Sequence, residues 1–256
     1  MHFGIIVFPG SNCERDCLHV VQDVLGHSGA LVWHESTDLS VFDGILVPGG
    51  FAHGDYLRAG AIARFSPVMD SIAEFASFGK PVVGICNGFQ ILCESKLLPG
   101  ALTRNTGGHF ICRDTYLRVE NTANRFLQFG NVGDVIRLPI RHGEGCYYAD
   151  NLALGDMEAN SQILLRYCDA QGTPSPEANP NGSVGNIAGV MNADGTIFGL
   201  MPHPEAAAEI QLGNTDGLLI WKSLVEPLLT GRARSQGGNL LSTNVNDLGS
   251  RLGELP

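Results

Sequence analysis

The first hundred residues alternate short apolar runs with segments in which apolar residues recur at helical spacing. The apolar runs have the length of buried strands and occupy residues 3–8, 30–34, 42–47 and 82–85. Helical spacing follows a Ser11-Asn12 cap to about residue 25, and recurs over residues 62–78 and after residue 86. This alternation predicts a parallel sheet covered by helices on both faces.

The pattern changes after residue 100. No clear helix separates the next strand-like segments, which are residues 110–120, 135–141 and 162–167. They predict an antiparallel extension of the sheet. The predicted fold class is therefore α/β, with a flavodoxin-like, mostly parallel sheet flanked by helices and an antiparallel β extension.

The last third of the pattern alternates turns with short elements. Residues 171–186 are dense in Pro, Gly, Ser and Asn and are predicted to form a loop. An Asp194-Gly195 turn joins two predicted hairpin strands, residues 187–191 and 197–200. A final helix is predicted for residues 216–229.

We assign residues 1–230 to a single domain, because they show no internal repeat and no shift in composition. Residues 231–256 are polar and rich in Gly, Ser and Asn. Within them apolar residues recur at helical spacing, at Leu241, Val245, Leu248 and Leu252. A short docking helix and a loosely ordered tail both fit this pattern.

Composition narrows the class of protein. The 256 residues carry a formal net charge of −10, which argues against a nucleic-acid partner. Seven scattered cysteines do not resemble a disulfide framework, and no charged segment precedes the first apolar run as in a signal peptide. No apolar run has the length of a membrane span. We therefore expect a cytoplasmic protein without a membrane partner.

Cys86 stands where a buried strand turns into a helix, with Gly84 and Gly88 two residues away on each side. A reactive side chain at the tip of such a turn needs small neighbours, as in the G-x-S-x-G nucleophile elbow. The helix N-terminus would favour a thiolate there. The alternative is an inert buried cysteine, which the two glycines and the strand–helix switch make the weaker interpretation.

A base and an orienting acid are predicted in the segment Met201-Pro202-His203-Pro204-Glu205. The prolines restrict the backbone around His203. If the segment is extended, His203 and Glu205 point to the same side and the carboxylate reaches the imidazole. Together with Cys86 they provide a nucleophile, a base and an orienter.

A second glycine-containing loop, Pro48-Gly49-Gly50-Phe51, ends a strand that is predicted to lie beside Cys86. Backbone N–H groups of this loop, with that of Asn87, could form an oxyanion hole. An ordinary strand-end turn would also explain the glycines.

The order P-G-G, G-x-C-x-G-x-Q and H-P-E resembles the class I (triad) glutamine amidotransferases. Further stretches resemble the glutaminase subunits of phosphoribosylformylglycinamidine synthase. These stretches are Gly54-Asp55-Tyr56-Leu57-Arg58-Ala59-Gly60-Ala61-Ile62-Ala63, Cys86-Asn87-Gly88-Phe89-Gln90, His142-Gly143-Glu144-Gly145, Asn179-Pro180-Asn181-Gly182-Ser183 and Asn186-Ile187-Ala188-Gly189. The resemblance as a whole covers about residues 3–229. The sequence departs from the family at Ala52-His53 and at Cys146.

The resemblance implies that Cys86, His203 and Glu205 hydrolyse L-glutamine through a thioester. It implies that Gly50 and Asn87 hold the oxyanion and that Gln90 lines the glutamine pocket. The ammonia would pass to a large PurL-type synthase subunit, which the resemblance places in a complex with a small PurS-type subunit. ATP and Mg would bind the large subunit, so no cofactor and no metal are expected on this chain.

Several residues keep more than one interpretation. His142 and Glu144 either support the site or only end a strand. Asp55 and Arg58 either face the partner or form a surface ion pair. Cys93, Cys112 and Cys168 are predicted to be core residues. Cys13 and Cys17 are four residues apart, but a metal site there is disfavoured because no cluster of further ligands lies nearby in the sequence.

Three other functions fit part of the pattern. A PfpI-type cysteine peptidase or stress protein shares the sheet and the Cys elbow, but usually has its histidine next to the cysteine, where this chain has Asn87. A non-enzymatic scaffold would not need the complete triad. The glutaminase of a different synthase would not explain the stretches 54–63 and 179–189.

Overall fold

The computed structural model describes residues 1–226, and the tail predicted for residues 231–256 lies outside that range. The strands are β1 (His2–Val7), β2 (Ser28–Trp33), β3 (Gly44–Val47), β4 (Val82–Ile85), β5 (Ala101–Thr103), β6 (Ile111–Val119), β7 (Val135–His142), β8 (Cys146–Tyr148), β9 (Ile163–Cys168), β10 (Ile187–Met191) and β11 (Ile197–Leu200). The α-helices are α1 (Glu14–His19), α2 (Val68–Ser77), α3 (Asn87–Glu94), α4 (Asn151–Ala159) and α5 (Leu218–Val225).

Nine strands form one mixed sheet in the order β2-β1-β3-β4-β11-β10-β9-β6-β7. The first five strands of that order are parallel neighbours, and their order is that of flavodoxin-like sheets. The remaining pairs, from β11 to β7, are antiparallel. Both parts of the predicted fold class are confirmed.

The middle of the chain holds elements that the hydrophobic pattern did not reveal. Strands β5 and β8 pair in a separate two-stranded antiparallel sheet, and each has only three residues. Helix α4 separates β8 from β9, although no clear helix was expected there. Its only buried side chain is Met157, so the helix presents almost no apolar stripe for a sequence pattern to register.

Two predicted helix starts are wrong. Helix α1 has Cys13 at its N-cap, without a side-chain cap, because the hydroxyl of Ser11 accepts a hydrogen bond from the Phe8 amide instead. The helix continues as a π-helical segment over Val20–Val24, close to the predicted end. Helix α2 starts after Pro67 and not at residue 62, because the residue before a proline is disfavoured in helical conformation and Ser66 is extended.

The core lies on both faces of the sheet. Every residue of β3, β4, β10 and β11 is buried, as expected for central strands covered on both sides. Cys93 and Cys168 are buried as predicted, whereas Cys112 is exposed because it lies on β6 near the edge of the extension. In residues 1–226 no helix has the length and apolar character needed to cross a membrane.

Helix α3 packs against the central strands at very short range, and two glycines make this possible. A Cβ on Gly84 would lie 2.9 Å from the backbone carbonyl of Gly88, and a Cβ on Gly88 would overlap the carbonyl oxygen of Val47. Backbone atoms of β3 and β4 cannot move aside without disrupting the sheet. The glycines on either side of Cys86 are therefore required by helix–sheet packing.

We predict that Gly88→Ala destabilises the protein by about 1–3 kcal/mol or prevents folding, because the new methyl group meets backbone and not a flexible side chain. The matched control is Gly155→Ala in α4. That glycine has open space around it, so alanine should stabilise the helix by about 0.5–1 kcal/mol. Urea unfolding of both variants measures the difference, and equal stabilities would contradict the packing argument.

Candidate active site

The loops that follow the parallel strands meet at the carboxyl edge of the sheet. The loop after β1 contacts the loop after β3, since the amides of Asn12 and Cys13 both donate to the Gly49 carbonyl at 3.2 Å. The loop after β3 contacts the start of α3 through the Ala52 amide, which donates to Asn87 Oδ1 at 3.0 Å. The predicted position of the Pro48-Gly49-Gly50-Phe51 loop beside the Cys86 turn is confirmed.

Cys86 occupies the turn between β4 and α3 in a strained conformation, with φ of 51° and ψ of −106°. A non-glycine residue with positive φ is uncommon and costs of order 1–3 kcal/mol, so the surrounding packing must hold it. Its thiol is buried and donates to the Arg141 carbonyl at 3.7 Å. The strand–turn–helix context expected of a nucleophile elbow is present.

His203 follows β11, and its Nδ1 lies 2.5 Å from Glu205 Oε1. Both side chains are buried. The segment is not extended throughout, because residues Pro204–Ala207 form a 3₁₀ helix with proline at its start. The carboxylate therefore reaches the imidazole from a helical turn and not along a strand, although the predicted contact is made.

Electrostatics favour the charged form of His203. Burial alone would lower its pKa, but the neighbouring Glu205 carboxylate and the nearby Cys86 outweigh burial and raise the pKa of His203 well above its ordinary value. The Nε2 atom of His203 has no hydrogen-bond partner within the described residues. It is the nitrogen left available to exchange a proton, because Nδ1 is engaged with Glu205.

Gly49 and Gly50 permit the close approach of the loops. A Cβ on Gly49 would lie 2.9 Å from His203 Cε1 and 3.5 Å from Cys86 Cβ, so its absence leaves room for the imidazole beside the cysteine. Gly50 has φ of 154°, and a Cβ there would lie 2.7 Å from the Gly10 carbonyl oxygen. Asn87 is the first residue of α3, so its N–H has no intrahelical acceptor.

The side chains of Asn87 and Gln90 are joined in a buried network. Asn87 Nδ2 donates to Gln90 Oε1 at 2.9 Å, and Gln90 Nε2 donates to the Glu144 carbonyl at 2.6 Å. Asn87 Nδ2 also lies 3.3 Å from Asp55 Oδ1. Burial and the Glu144 charge raise the pKa of Asp55 to about 6. Of the two alternatives for Asp55 and Arg58, the ion pair between them is not formed, since Arg58 binds both carboxylate oxygens of Glu94 at 2.7 Å.

His142 lies beside the site and is held by a residue that the sequence reasoning missed. Its Nδ1 is 3.1 Å from Oδ1 of the buried Asn105, which also accepts from the Gly145 amide. Burial, followed by the charge of His203, lowers the pKa of His142 to about 4, so this imidazole is neutral at physiological pH. Only the polar Asn105-Thr106-Gly107 turn could have pointed to Asn105, and that signal is common.

The stretch around Asn181 supports the loop that carries Glu144. Asn181 is fully buried and donates to the Gly145 carbonyl at 2.8 Å, and the Ser183 hydroxyl lies 3.3 Å from the same oxygen. Gln90 is anchored on the adjacent Glu144 carbonyl. Asn181 and Ser183, which the sequence analysis cited only for the family resemblance, therefore support the loop that positions Gln90.

Cys13 also reaches the site, which sequence reasoning did not anticipate. Its Sγ lies 4.0 Å from His203 Nδ1. Cys17, the partner considered for it in a metal bracket, does not join the group of metal-ligand side chains formed by Cys13, His203 and Glu205. The position of Cys13 in the loop after β1 was the one signal that could have placed it at the site, because the loops that follow parallel strands meet at one edge of the sheet.

Comparison with known proteins agrees with this geometry. Residues 1–215 match the CobB/CobQ-like glutamine amidotransferase domain. The subunit PurQ of phosphoribosylformylglycinamidine synthase from Thermosynechococcus vestitus is 54% identical over 231 residues, which cover 88% of this chain and 96% of the relative. The subunit PurQ from Salinibacter ruber is 53% identical over 223 residues, covering 87% and 95%.

Solved structures give the same result. The structure of PurLQS from Thermotoga maritima includes a chain that matches with a TM-score of 0.77 and 40% identity, covering 88% of this chain and 97% of that one. A glutamine amidotransferase from Thermotoga maritima shares the fold at 16% identity with a TM-score of 0.53. The chain therefore belongs to the PurQ family of glutamine amidotransferases.

Proposed function

We propose that this chain is the glutaminase subunit of a phosphoribosylformylglycinamidine synthase. It hydrolyses L-glutamine to glutamate and ammonia and supplies the ammonia to a synthase subunit. That subunit converts formylglycinamide ribonucleotide to phosphoribosylformylglycinamidine in purine biosynthesis. The observation that carries the proposal is the buried Cys86–His203–Glu205 group beside a strained strand-to-helix turn. The PurQ relatives, at 53–54% identity, support the choice of reaction.

In the first half of the reaction, Cys86 Sγ attacks the carboxamide carbon of the glutamine side chain. The thiol proton passes to His203, and the carbonyl oxygen becomes an oxyanion that accepts hydrogen bonds from the amides of Gly50 and Asn87. His203 then protonates the departing nitrogen. The carbon–nitrogen bond breaks, ammonia leaves, and a γ-glutamyl thioester remains on Cys86.

In the second half, water attacks the thioester carbon while His203 accepts a proton from it. The carbon–sulfur bond breaks, glutamate leaves and Cys86 is restored. Glu205 touches neither glutamine nor water in this scheme. It holds the imidazole through Nδ1 and stabilises its positive charge, which is the role expected of the buried acid in a triad.

Gln90 is proposed to line the glutamine pocket. Both polar atoms of its side-chain amide are hydrogen-bonded, Oε1 to Asn87 Nδ2 and Nε2 to the Glu144 carbonyl. A side chain that already has its rotamer fixed loses little entropy when substrate binds, which favours a preorganised pocket.

The acceptor of ammonia is proposed to be a large PurL-type subunit, with a small PurS-type subunit completing the complex. The matched Thermotoga maritima structure is one of PurLQS, and it supports this assembly. ATP and Mg are proposed to bind the large subunit, with no cofactor on this chain. The seven cysteines are all free, which agrees with a cytoplasmic location.

The cysteine-peptidase alternative has little support. It would place the histidine directly after the cysteine, and that position is held by Asn87, whose side chain binds Ala52 and Gln90. The histidine beside Cys86 comes instead from the loop after β11. The family assignment likewise leaves no need for a non-enzymatic scaffold.

We predict that Cys86→Ala abolishes glutamine use without affecting ammonia use. When the variant is combined with the large subunit, the glutamine-dependent rate should fall by at least about a thousandfold, because the nucleophile is gone. The rate with ammonium salt should stay at the wild-type level. Product formation with each nitrogen source measures both, and Cys112→Ala, which removes an exposed thiol, is the control. Full glutamine use by Cys86→Ala would exclude the mechanism.

The second prediction separates the roles of His203 and Glu205. His203→Ala should lose nearly as much glutamine hydrolysis as Cys86→Ala, because it removes both the base and the acid. Glu205→Gln should be about a hundredfold less damaging, since the imidazole remains. Steady-state kcat/KM of the complex provides the comparison. A larger loss in Glu205→Gln than in Cys86→Ala would mean that the roles are misassigned.

The third prediction concerns protonation. Because burial lowers and the Glu205 charge raises the pKa of His203, Glu205→Gln should lower that pKa relative to the wild-type chain. In the wild-type chain the pKa of His203 should lie above its ordinary value. Titration of the His203 ring resonances by NMR, assigned by comparison with His203→Ala, measures both values. An unchanged pKa in Glu205→Gln would show that the carboxylate does not control the imidazole.

A further inference from the structure

The reaction proposed above does not use Cys13, although this thiol lies inside the triad. Cys13 is the N-cap of α1, and its amide is tied to the Gly49 carbonyl. The side chain is buried, with Sγ 4.0 Å from His203 Nδ1. Burial raises the pKa of Cys13, so the thiol is protonated and not a competing nucleophile at neutral pH.

Three metal-ligand atoms converge at this point. One ligand atom each from Cys13, His203 and Glu205 lies within 4.8 Å of the other two, and all three residues are buried. The second carboxylate oxygen of Glu205, Oε2, is buried and has no hydrogen-bond partner within the described residues. Thiolate, imidazole and carboxylate are the three ligand types that Zn²⁺ takes in proteins.

We infer that Cys13, His203 and Glu205 form a binding site for Zn²⁺ that overlaps the triad and switches it off. The zinc site differs from the proposed catalytic triad in its thiol, which is Cys13 from the loop after β1 and not Cys86. Its consequence for activity rests on the proposed function, whereas metal binding itself does not.

The distances are close to those of a tetrahedral zinc site. Ordinary Zn–S and Zn–N bond lengths place sulfur and nitrogen ligands about 3.5 Å apart, and nitrogen and oxygen ligands about 3.3 Å apart. The Cys13 Sγ to His203 Nδ1 distance is 4.0 Å, and the Nδ1 to Glu205 Oε1 distance is 2.5 Å. Shifts of less than about 1 Å, an inward one for Cys13 and an outward one for Glu205, would complete three corners.

Gly49 leaves the fourth corner open toward Cys86. A Cβ on Gly49 would lie 3.2 Å from Cys13 Sγ and 3.5 Å from Cys86 Cβ. No side chain of residue 49 therefore stands between the two cysteines. A water molecule can supply the fourth ligand, and three protein ligands already suffice for a zinc site.

Zinc binding and catalysis exclude each other. A metal on Nδ1 replaces the proton that Nδ1 shares with Glu205, and that proton is released to solvent. The imidazole is then neutral, and its other nitrogen, Nε2, carries the remaining proton. Nε2 then cannot accept the proton of Cys86. The Cys13 thiol releases its own proton to solvent when it becomes a thiolate ligand. The base of the reaction is thus removed without any change to the nucleophile.

Cobalt spectroscopy tests the site independently of activity. Co²⁺ is added to a tag-free Cys86→Ala chain, in which Cys13 is the only thiol of the proposed site. We expect one equivalent to produce thiolate-to-cobalt charge-transfer absorption that Zn²⁺ removes. The absorption should fall at least about tenfold in Cys13→Ala/Cys86→Ala and in Cys13→Ser/Cys86→Ala, but not in Cys112→Ala/Cys86→Ala. Equal absorption in all four chains would overturn the proposal.

A second measurement tests the consequence. Zn²⁺ should inhibit the glutamine-dependent rate of the complex and leave the ammonium-dependent rate unchanged. Each chain's rate is expressed relative to its own rate without Zn²⁺. The half-inhibitory Zn²⁺ concentration should then be at least about tenfold higher for Cys13→Ser than for the wild-type chain, and unchanged for Cys112→Ala. An unchanged value in Cys13→Ser would mean that Cys86 alone captures the metal and would overturn the switch. Absence of glutamine hydrolysis in every chain would refute the proposed function but not the cobalt result.

Discussion

The contact between Gly88 and the Val47 carbonyl is the constraint on which the site depends. It brings the first turn of α3 against β3 so closely that no Cβ fits between them. The chain must therefore turn sharply between β4 and α3, and Cys86 takes a positive φ in that turn. A single residue could not maintain this conformation, because it costs of order 1–3 kcal/mol. The backbone packing on both sides of Cys86 maintains it, so the reactive position of the thiol is a property of the sheet.

Sheet topology explains how His203, which is distant in sequence, lies at the same edge of the sheet as Cys86. Strands β4 and β11 are parallel neighbours, with Gly84 opposite Gly199 and Ile85 opposite Leu200. Their carboxyl ends therefore lie side by side, and the residues that follow them, Cys86 and His203, emerge at the same edge. The antiparallel extension is inserted between the two strands in the chain. It returns to the site as the loop that holds Gln90, so the insertion anchors this side chain without interrupting the parallel core.

The parallel core, the strand-to-helix turn at Cys86 and the contact between His203 and Glu205 could be predicted from sequence, because they depend on short-range signals. Apolar runs mark the buried strands, glycines mark the Cys86 turn, and His203 and Glu205 are two residues apart. The missed features depend on long-range contacts. Asn105 and Cys13 become important only when the fold brings them to His142 and His203, and nothing in their own neighbourhood distinguishes them. Helix α4 was missed for a related reason, since a helix that buries one side chain has no periodic pattern.

Unsatisfied polar groups are concentrated where chemistry is proposed. In residues 1–226, seven buried side-chain atoms have no hydrogen-bond partner, and three of them belong to His142, His203 and Glu205. Each such atom costs about 1–3 kcal/mol, so selection for stability alone would remove them. His203 Nε2 must remain without a fixed partner if it is to exchange protons with Cys86 and with a leaving group. The Glu205 oxygen that faces no donor makes the same pocket receptive to a cation. The physical basis of the proposed reaction and of the proposed inhibition by zinc is therefore the same: His203 and Glu205 are buried together and each keeps one atom without a hydrogen-bond partner.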